Sequence, residues 1–192
     1  MTPPGIAAIG ALALVVGLAL FIGVSNYNAV IGLQQRADKA WANIDVALKQ
    51  RHDMLPSLVD AVSGLMAFEQ RVLTAVTQVR AAYSPTAPVA AQAATSDLTT
   101  AAVRSLIAVV ERYPDIKSAA NVMELQGSIE RIEGIIADRR ELYNDQVYRY
   151  NTKIATVPAV ALTWLFRWIP RDFFEVDAAG TERPRVDVTP KP

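Results

Sequence analysis

Cysteine is absent from the chain, and histidine occurs once, at His52. The first absence excludes disulfides, thiolate chemistry, cysteine-ligated zinc and a lipidated cysteine. It leaves the compartment open, because a disulfide-free domain can fold on either side of a membrane. The second makes any histidine-based metal site or serine–histidine machinery depend on one imidazole. Net charge is lacking too: 19 basic residues balance 19 acidic ones. Binding a phosphate backbone needs a basic excess, so nucleic acid is not an expected partner. There is no glycine-rich phosphate loop and no activated serine or lysine. Glu130, Glu133 and Asp138 are the acids closest to forming a metal set with His52. Helical two-metal sites use paired Glu-x-x-His motifs, which this sequence does not contain. No catalytic residue, cofactor or metal ligand is expected.

Charge is absent altogether from Gly5 to Val24, in the run GIAAIGALALVVGLALFIGV. About 20 helical residues rise about 30 Å, the hydrocarbon thickness of a bilayer. A helix also satisfies its own backbone groups in lipid. A cleaved signal peptide would want basic residues ahead of the run, and MTPPG has none. Gly23-Val24-Ser25 would nonetheless serve as a small-x-small cleavage site. A buried core helix is a poorer fit, because the run is long and uniformly apolar. Residues 5–24 are therefore expected to span the cell membrane once, with the lipid bilayer as first partner. Ala13 and Gly17 form a small-xxx-small pair that would let two spans pack closely, which leaves a homo-oligomer open. Arg36, Lys39, Lys49 and Arg51 are the nearest downstream cations, so the positive-inside rule leans toward a cytoplasmic soluble domain.

Beyond the anchor the apolar pattern is helical, and the expected fold is all-α. Val30, Leu33, Ala37, Trp41, Ile44 and Leu48 form a first stripe that continues out of the span. Leu55, Leu58, Val62, Leu65, Glu69, Val72, Val76, Val79 and Tyr83 form a heptad seam with one polar interruption. A shorter stripe includes Leu98, Ala102, Leu106 and Val109. Val122, Leu125, Ile129, Ile132, Ile136, Arg139, Tyr143, Gln146 and Tyr150 form the last. Breakers divide them. Asp53 is a candidate N-cap ahead of Pro56. Tyr83–Ala94 reads as a flexible Pro- and Ala-rich connection, with Ser96 or Asp97 capping the next helix. Tyr113-Pro114 forces a turn, and Val157-Pro158 closes the last long helix. The expectation is a transmembrane helix followed by an elongated up-and-down antiparallel four-helix bundle over residues 26–158. An apolar, aromatic segment over 159–175 and a disordered tail over 176–192 follow. Two routes fit Pro56. Reversal at Arg51–Pro56 brings the last helix back to the bilayer, whereas a mere kink points it away. Reversal is the expectation, because it gives the stripes one common core.

Several blocks resemble the LemA family in order. They are Tyr27-Asn28, Ala40-Trp41, Ile44-Asp45-Val46, Leu48-Lys49, Arg51 and Leu55-Pro56 at the start. In the last helix they are Leu125-Gln126, Ile129-Glu130, Glu133, Arg139-Arg140, Tyr143-Asn144, Val147 and Tyr150-Asn151. Pro170-Arg171 with Phe173-Phe174-Glu175 resembles that family's ending. The Ala- and Pro-rich stretch near Ser84 to Ala94, and Phe68 before Glu69, depart from the pattern. The resemblance implies an N-terminal membrane helix, a helical bundle and no established activity.

Three groups stand out as candidate sites. Glu69 and Arg139 each interrupt an apolar seam, and a bidentate pair between them would fix helix register. Tyr143-Asn144 and Tyr150-Asn151 recur at seven residues on one face. They would either offer an interaction surface to a protein partner or make structural hydrogen bonds. Trp164, Phe166, Arg167 and Trp168 suit a membrane interface. The expected function is a membrane-tethered interaction or scaffold module. The alternative is a lipid-binding or membrane-remodelling protein using Ala159–Ile169. An enzyme with an unrecognised polar site is the weakest reading.

Overall fold

The computed structural model describes residues 3–63, 70–114 and 119–175. Its regular elements are all helices: α1 Pro3–Ser63, α2 Gln70–Ala82, α3 Val89–Val110, α4 Ala120–Ala155 and α5 Ala159–Phe166. α1 changes character along its length. Over the uncharged run its large side chains are bare, including Ile6, Leu12, Leu14, Phe21 and Val24. Such a surface is stable only in lipid. From Val30 onward the same helix turns one face inward, burying Val30, Ala37, Ile44, Leu48, Arg51, Leu55 and Leu58.

α4 lies antiparallel to α1, as three stacked core layers record. Val30 packs with Tyr150 and Ile154 nearest the span. Ala40, Ile44 and Leu48 pack with Ile136, Tyr143 and Val147 in the middle. Leu55 and Leu58 pack with Val122 and Ile129 at the far end. α2 and α3 complete the outer layers, with Val76 and Ala102 to Val110 in the far cluster and Ala93 in the middle one. By length and composition α3 could also cross a bilayer, but 44% of that window is buried in the bundle.

The expected reversal at Arg51–Pro56 does not occur there. α1 continues through Pro56 to Ser63, with Asp53 inside the helix instead of capping a new one. Proline in a helix interior costs about 3 kcal/mol. Leu55 and Leu58 are each 1% exposed, and burying two such side chains returns about 3–6 kcal/mol. α2 runs antiparallel to the end of α1, since Val76 packs on Leu55 and Leu58 and Tyr83 stacks on His52 at 4.7 Å. The chain thus combines the unbroken first rod of one route with the return toward the α1 apolar run of the other.

The start of α3 is also earlier than expected. It begins at Val89 after Pro88, so Ser96 and Asp97 lie inside it and cap nothing. The connection shrinks to residues 83–88. Gln92, only 4% exposed, donates to the carbonyls of Pro85 and Ala87 at 3.1 and 3.0 Å and ties that turn down.

α5 returns to the span. Phe166 and Trp168 pack on Tyr27 with centroids 4.8 and 5.8 Å apart. α5 ends at Arg167, whose φ of 53° is left-handed. From there the chain runs extended along the bundle. Trp168 lies near Tyr27, and Phe174 near Trp41 at 5.9 Å. α1 rises about 21 Å between those two α1 residues, a distance about six extended residues cover. The tail over 176–192 lies outside the described residues.

Candidate functional site

Arg51 occupies a core position on α1, three residues after Leu48 and four before Leu55, and is 3% exposed. A buried guanidinium must be fully partnered. α3 supplies Ser96 and Thr100, one turn apart, and α4 supplies Glu133. Arg51 Nη1 donates to Glu133 Oε1 and to Thr100 Oγ1, each at 2.9 Å. Its Nη2 donates to Ser96 Oγ at 2.9 Å and to the Ser96 carbonyl at 3.3 Å. The Thr100 hydroxyl in turn donates to Glu133 Oε2 at 2.8 Å. Three helices are thereby pinned in one register.

This knot forms the inner wall of a groove of about 510 Å³ between α3 and α4. Thr100, Ala101 and Arg104 line one side, and Glu133, Gly134 and Arg140 the other. Arg140 donates to Asp97 at 2.9 Å across one end. A second hollow of about 390 Å³ shares Thr100, Arg104 and Glu133, and extends the groove toward Glu111 and Glu130. The groove offers cations, carboxylates and small side chains within reach of one another.

A different furrow, between α1 and α4, is filled by the C-terminal segment. Asn151 Oδ1 accepts from the Arg171 N–H at 2.8 Å, and its Nδ2 donates to the Arg171 carbonyl at 2.9 Å. Asn144 Oδ1 accepts from the Phe174 N–H at 2.8 Å, while its Nδ2 faces the Phe174 carbonyl at 3.5 Å and Glu175 Oε1 at 3.3 Å. The Tyr150 hydroxyl donates to the Ile169 carbonyl at 3.2 Å, and that of Tyr143 to the Asp172 carbonyl at 3.0 Å. Arg171 bonds Asp38 and lies over the Tyr150 ring at 5.6 Å. Phe174 is 0% exposed, with Trp41 beside it and the Arg140 guanidinium over its ring at 5.6 Å. Burial raises the Tyr143 and Tyr150 hydroxyls above the usual tyrosine range, while the nearby Arg171 charge opposes the shift.

All of these site residues but Asp38 lie within the region recognised by comparison. A model of the LemA family matches residues 40–188. The chain belongs to the LemA family. Protein LemA of Metamycoplasma hominis is 27% identical over 148 residues, covering 74% of this chain and 66% of that protein. Magnetosome proteins MamQ 1 and MamQ 2 of Paramagnetospirillum magneticum are each 34% identical over 79 residues, covering 41% of this chain and 29% of theirs. The chain therefore spans just under two thirds of the mycoplasma protein and less than a third of the magnetosome proteins. It is a membrane-associated helical protein, its long apolar N-terminal helix supplying the anchor.

Of the residues singled out in the sequence, Glu69 lies outside the described residues, so its pairing with Arg139 has only one member in view. Arg139 is half-buried on α4, between the buried Ile136 and Tyr143. The Tyr143-Asn144 and Tyr150-Asn151 repeats hold the chain's own C-terminal segment and are not open to solvent: Tyr143 and Tyr150 are 2% and 3% exposed. Trp164, Phe166 and Arg167 are exposed and Trp168 is half-buried, all at the level where α1 leaves its apolar run. Glu133 serves Arg51, and His52 stacks on Tyr83. Among the described residues no three His, Asp or Glu side chains converge on a metal-sized point.

The Arg51 knot was not foreseen. Its signal is a charged residue in phase with the Val30–Leu48 stripe, which the expected reversal at Arg51–Pro56 obscures. The clamp on the C-terminal segment was foreseen only as a recurrence of residue types.

Proposed function

We propose that this LemA-family chain is a membrane-anchored interaction module whose bundle serves as a docking platform at the bilayer surface. The observation that carries the reading is the continuity of α1 from Pro3 to Ser63, which joins span and bundle with no linker. A bundle so held presents the α3–α4 groove in a fixed orientation to the membrane, as a scaffold requires. The charge distribution favours a cytoplasmic bundle. A Cβ at Gly17 would meet nothing within 4 Å, so the Ala13–Gly17 face is free to pack on a second span. That two relatives are named as magnetosome proteins is compatible with one platform reused in different settings. The reading is non-enzymatic. The test is capture of bound proteins from detergent-solubilised membranes by the full chain and by Ala101→Trp, which fills the groove at an exposed position. The module reading expects partners that bind the parent and not the variant, with melting temperatures within about 2 °C of each other. An unchanged set of captured proteins contradicts docking in the groove.

One feature favours a second role, in lipid contact. A hollow of about 590 Å³ between α1 and α5 is lined by Val16, Leu20, Val24, Leu162, Leu165 and Phe166, at the level of the span. Trp164 beside it is 85% exposed and Ile169 is 74% exposed, a surface suited to the headgroup boundary. Flotation of the isolated 159–175 peptide with anionic and zwitterionic vesicles tests this role. Failure to float with either contradicts it.

A further inference from the structure

We propose that the furrow between α1 and α4 is a binding site for extended polypeptide, and that in the membrane it takes up the Trp168–Glu175 segment of a second copy of this chain as well as its own. The inference rests on the interaction reading above and names one partner.

The spacing of the clamp is what makes it a site. From Asn151 back to Asn144 is seven helical residues, a rise of about 10.5 Å. From Arg171 to Phe174 is three extended residues, about 10 Å. The tyrosines keep the same ratio, Tyr150 and Tyr143 meeting the carbonyls of Ile169 and Asp172. A helical heptad thus matches a three-residue step of extended chain, and the two asparagines address the N–H and C=O edge of one backbone residue each. Backbone groups are common to any peptide; the side chains add a choice. Asp38 selects a cation at the position of Arg171, and the Trp41–Tyr143–Arg140 pocket selects an aromatic ring three residues later.

A second copy carries that cation and ring at the same spacing, so its segment satisfies every one of these contacts. Exchanging identical elements creates no new interface chemistry and is a low-cost route to dimers. The connection that would swing is short and marked. It comprises residues 156–158, α5 and the non-glycine left-handed turn at Arg167 that caps α5. Anchoring confines copies to one plane and raises their effective concentration.

The experiment co-expresses two full-length copies with different tags in one membrane. The donor copy carries the photo-reactive residue benzoylphenylalanine in place of Phe173, a half-exposed neighbour of the buried anchor Phe174. After illumination, crosslinked peptides from the furrow are assigned to the donor or to the acceptor chain. Exchange predicts crosslinks to Asp38–Trp41 and Tyr143–Asn144 of the acceptor. It also predicts that N144A/N151A in the acceptor lowers that fraction several-fold, and that the same pair in the donor raises it. Crosslinks confined to the donor's own furrow overturn the proposal. An acceptor fraction that neither pair moves overturns it equally. Either result leaves partner capture by the α3–α4 groove untouched, so the two readings fail separately.

Discussion

Arg51 and Glu133 meet at 2.9 Å across the α1–α4 interface, and their burial is unequal: the Arg51 side chain is 3% exposed and that of Glu133 is 24% exposed. The inequality fixes which partner matters more. Removing Glu133 strands a buried cation on two hydroxyls and a carbonyl, whereas removing Arg51 leaves a carboxylate that water still reaches. Glu133→Ala is expected to cost about 3 kcal/mol and Arg51→Met about 1 kcal/mol. The double variant should cost less than the two losses added, because the stranded charge is gone. Urea melts of the four proteins check this, and strict additivity would mean that the pair is not coupled.

The clamp on the C-terminal segment predicts local effects. Asn151→Ala removes two hydrogen bonds to Arg171, a loss of about 2 kcal/mol at about 1 kcal/mol per bond. Hydrogen exchange at the Arg171 and Phe174 amides should accelerate many-fold, while α3 amides stay protected. Uniform acceleration through the bundle would show that the segment does not open on its own.

Alkaline pH acts on the same contacts. Burial first, against the opposing Arg171 charge, raises Tyr143 and Tyr150 above their ordinary 10.0. The fold therefore holds these protons more tightly than the unfolded chain does. Their contribution is complete below the unfolded value of about 10 and is lost as pH rises through the higher folded values. Ionised hydroxyls also cannot donate to the Ile169 and Asp172 carbonyls. Stability should fall more steeply above about pH 10 in the parent than in a Tyr143→Phe/Tyr150→Phe double variant. Equal slopes would contradict the assignment.

Pro56 gives a test of opposite sign. It lies inside α1, where alanine would restore a backbone hydrogen bond. Pro56→Ala is expected to raise stability by about 1–3 kcal/mol, read from thermal or urea melts. A chain that needed Pro56 to turn would lose stability instead.

Much of this architecture could be read from periodicity. The apolar span is uncharged over a full bilayer width. The α4 seam survives almost residue for residue, with Val122, Ile129, Ile132, Ile136, Tyr143 and Tyr150 buried. What failed was local punctuation. At Pro56 the burial of Leu55 and Leu58 outweighs the intrinsic cost of proline, whereas Pro85 and Pro88 keep to a short turn and α3 starts directly after them. The Arg51–Ser96–Thr100–Glu133 knot was hidden because its members come from three helices. Each member looks ordinary within its own stripe. The clamp was hidden for a different reason. Its ligand is backbone, which no side-chain pattern announces.

We propose that the bundle is fixed to the bilayer at two places, by the α1 span and by α5 beside it. The most direct measurement is the accessibility of a nitroxide at Trp164→Cys in the full chain reconstituted into vesicles, where the parent's lack of cysteine makes the label unique. Strong relaxation by lipid-soluble oxygen and weak relaxation by an aqueous nickel chelate are expected. The reverse pattern would place α5 in water and contradict the account.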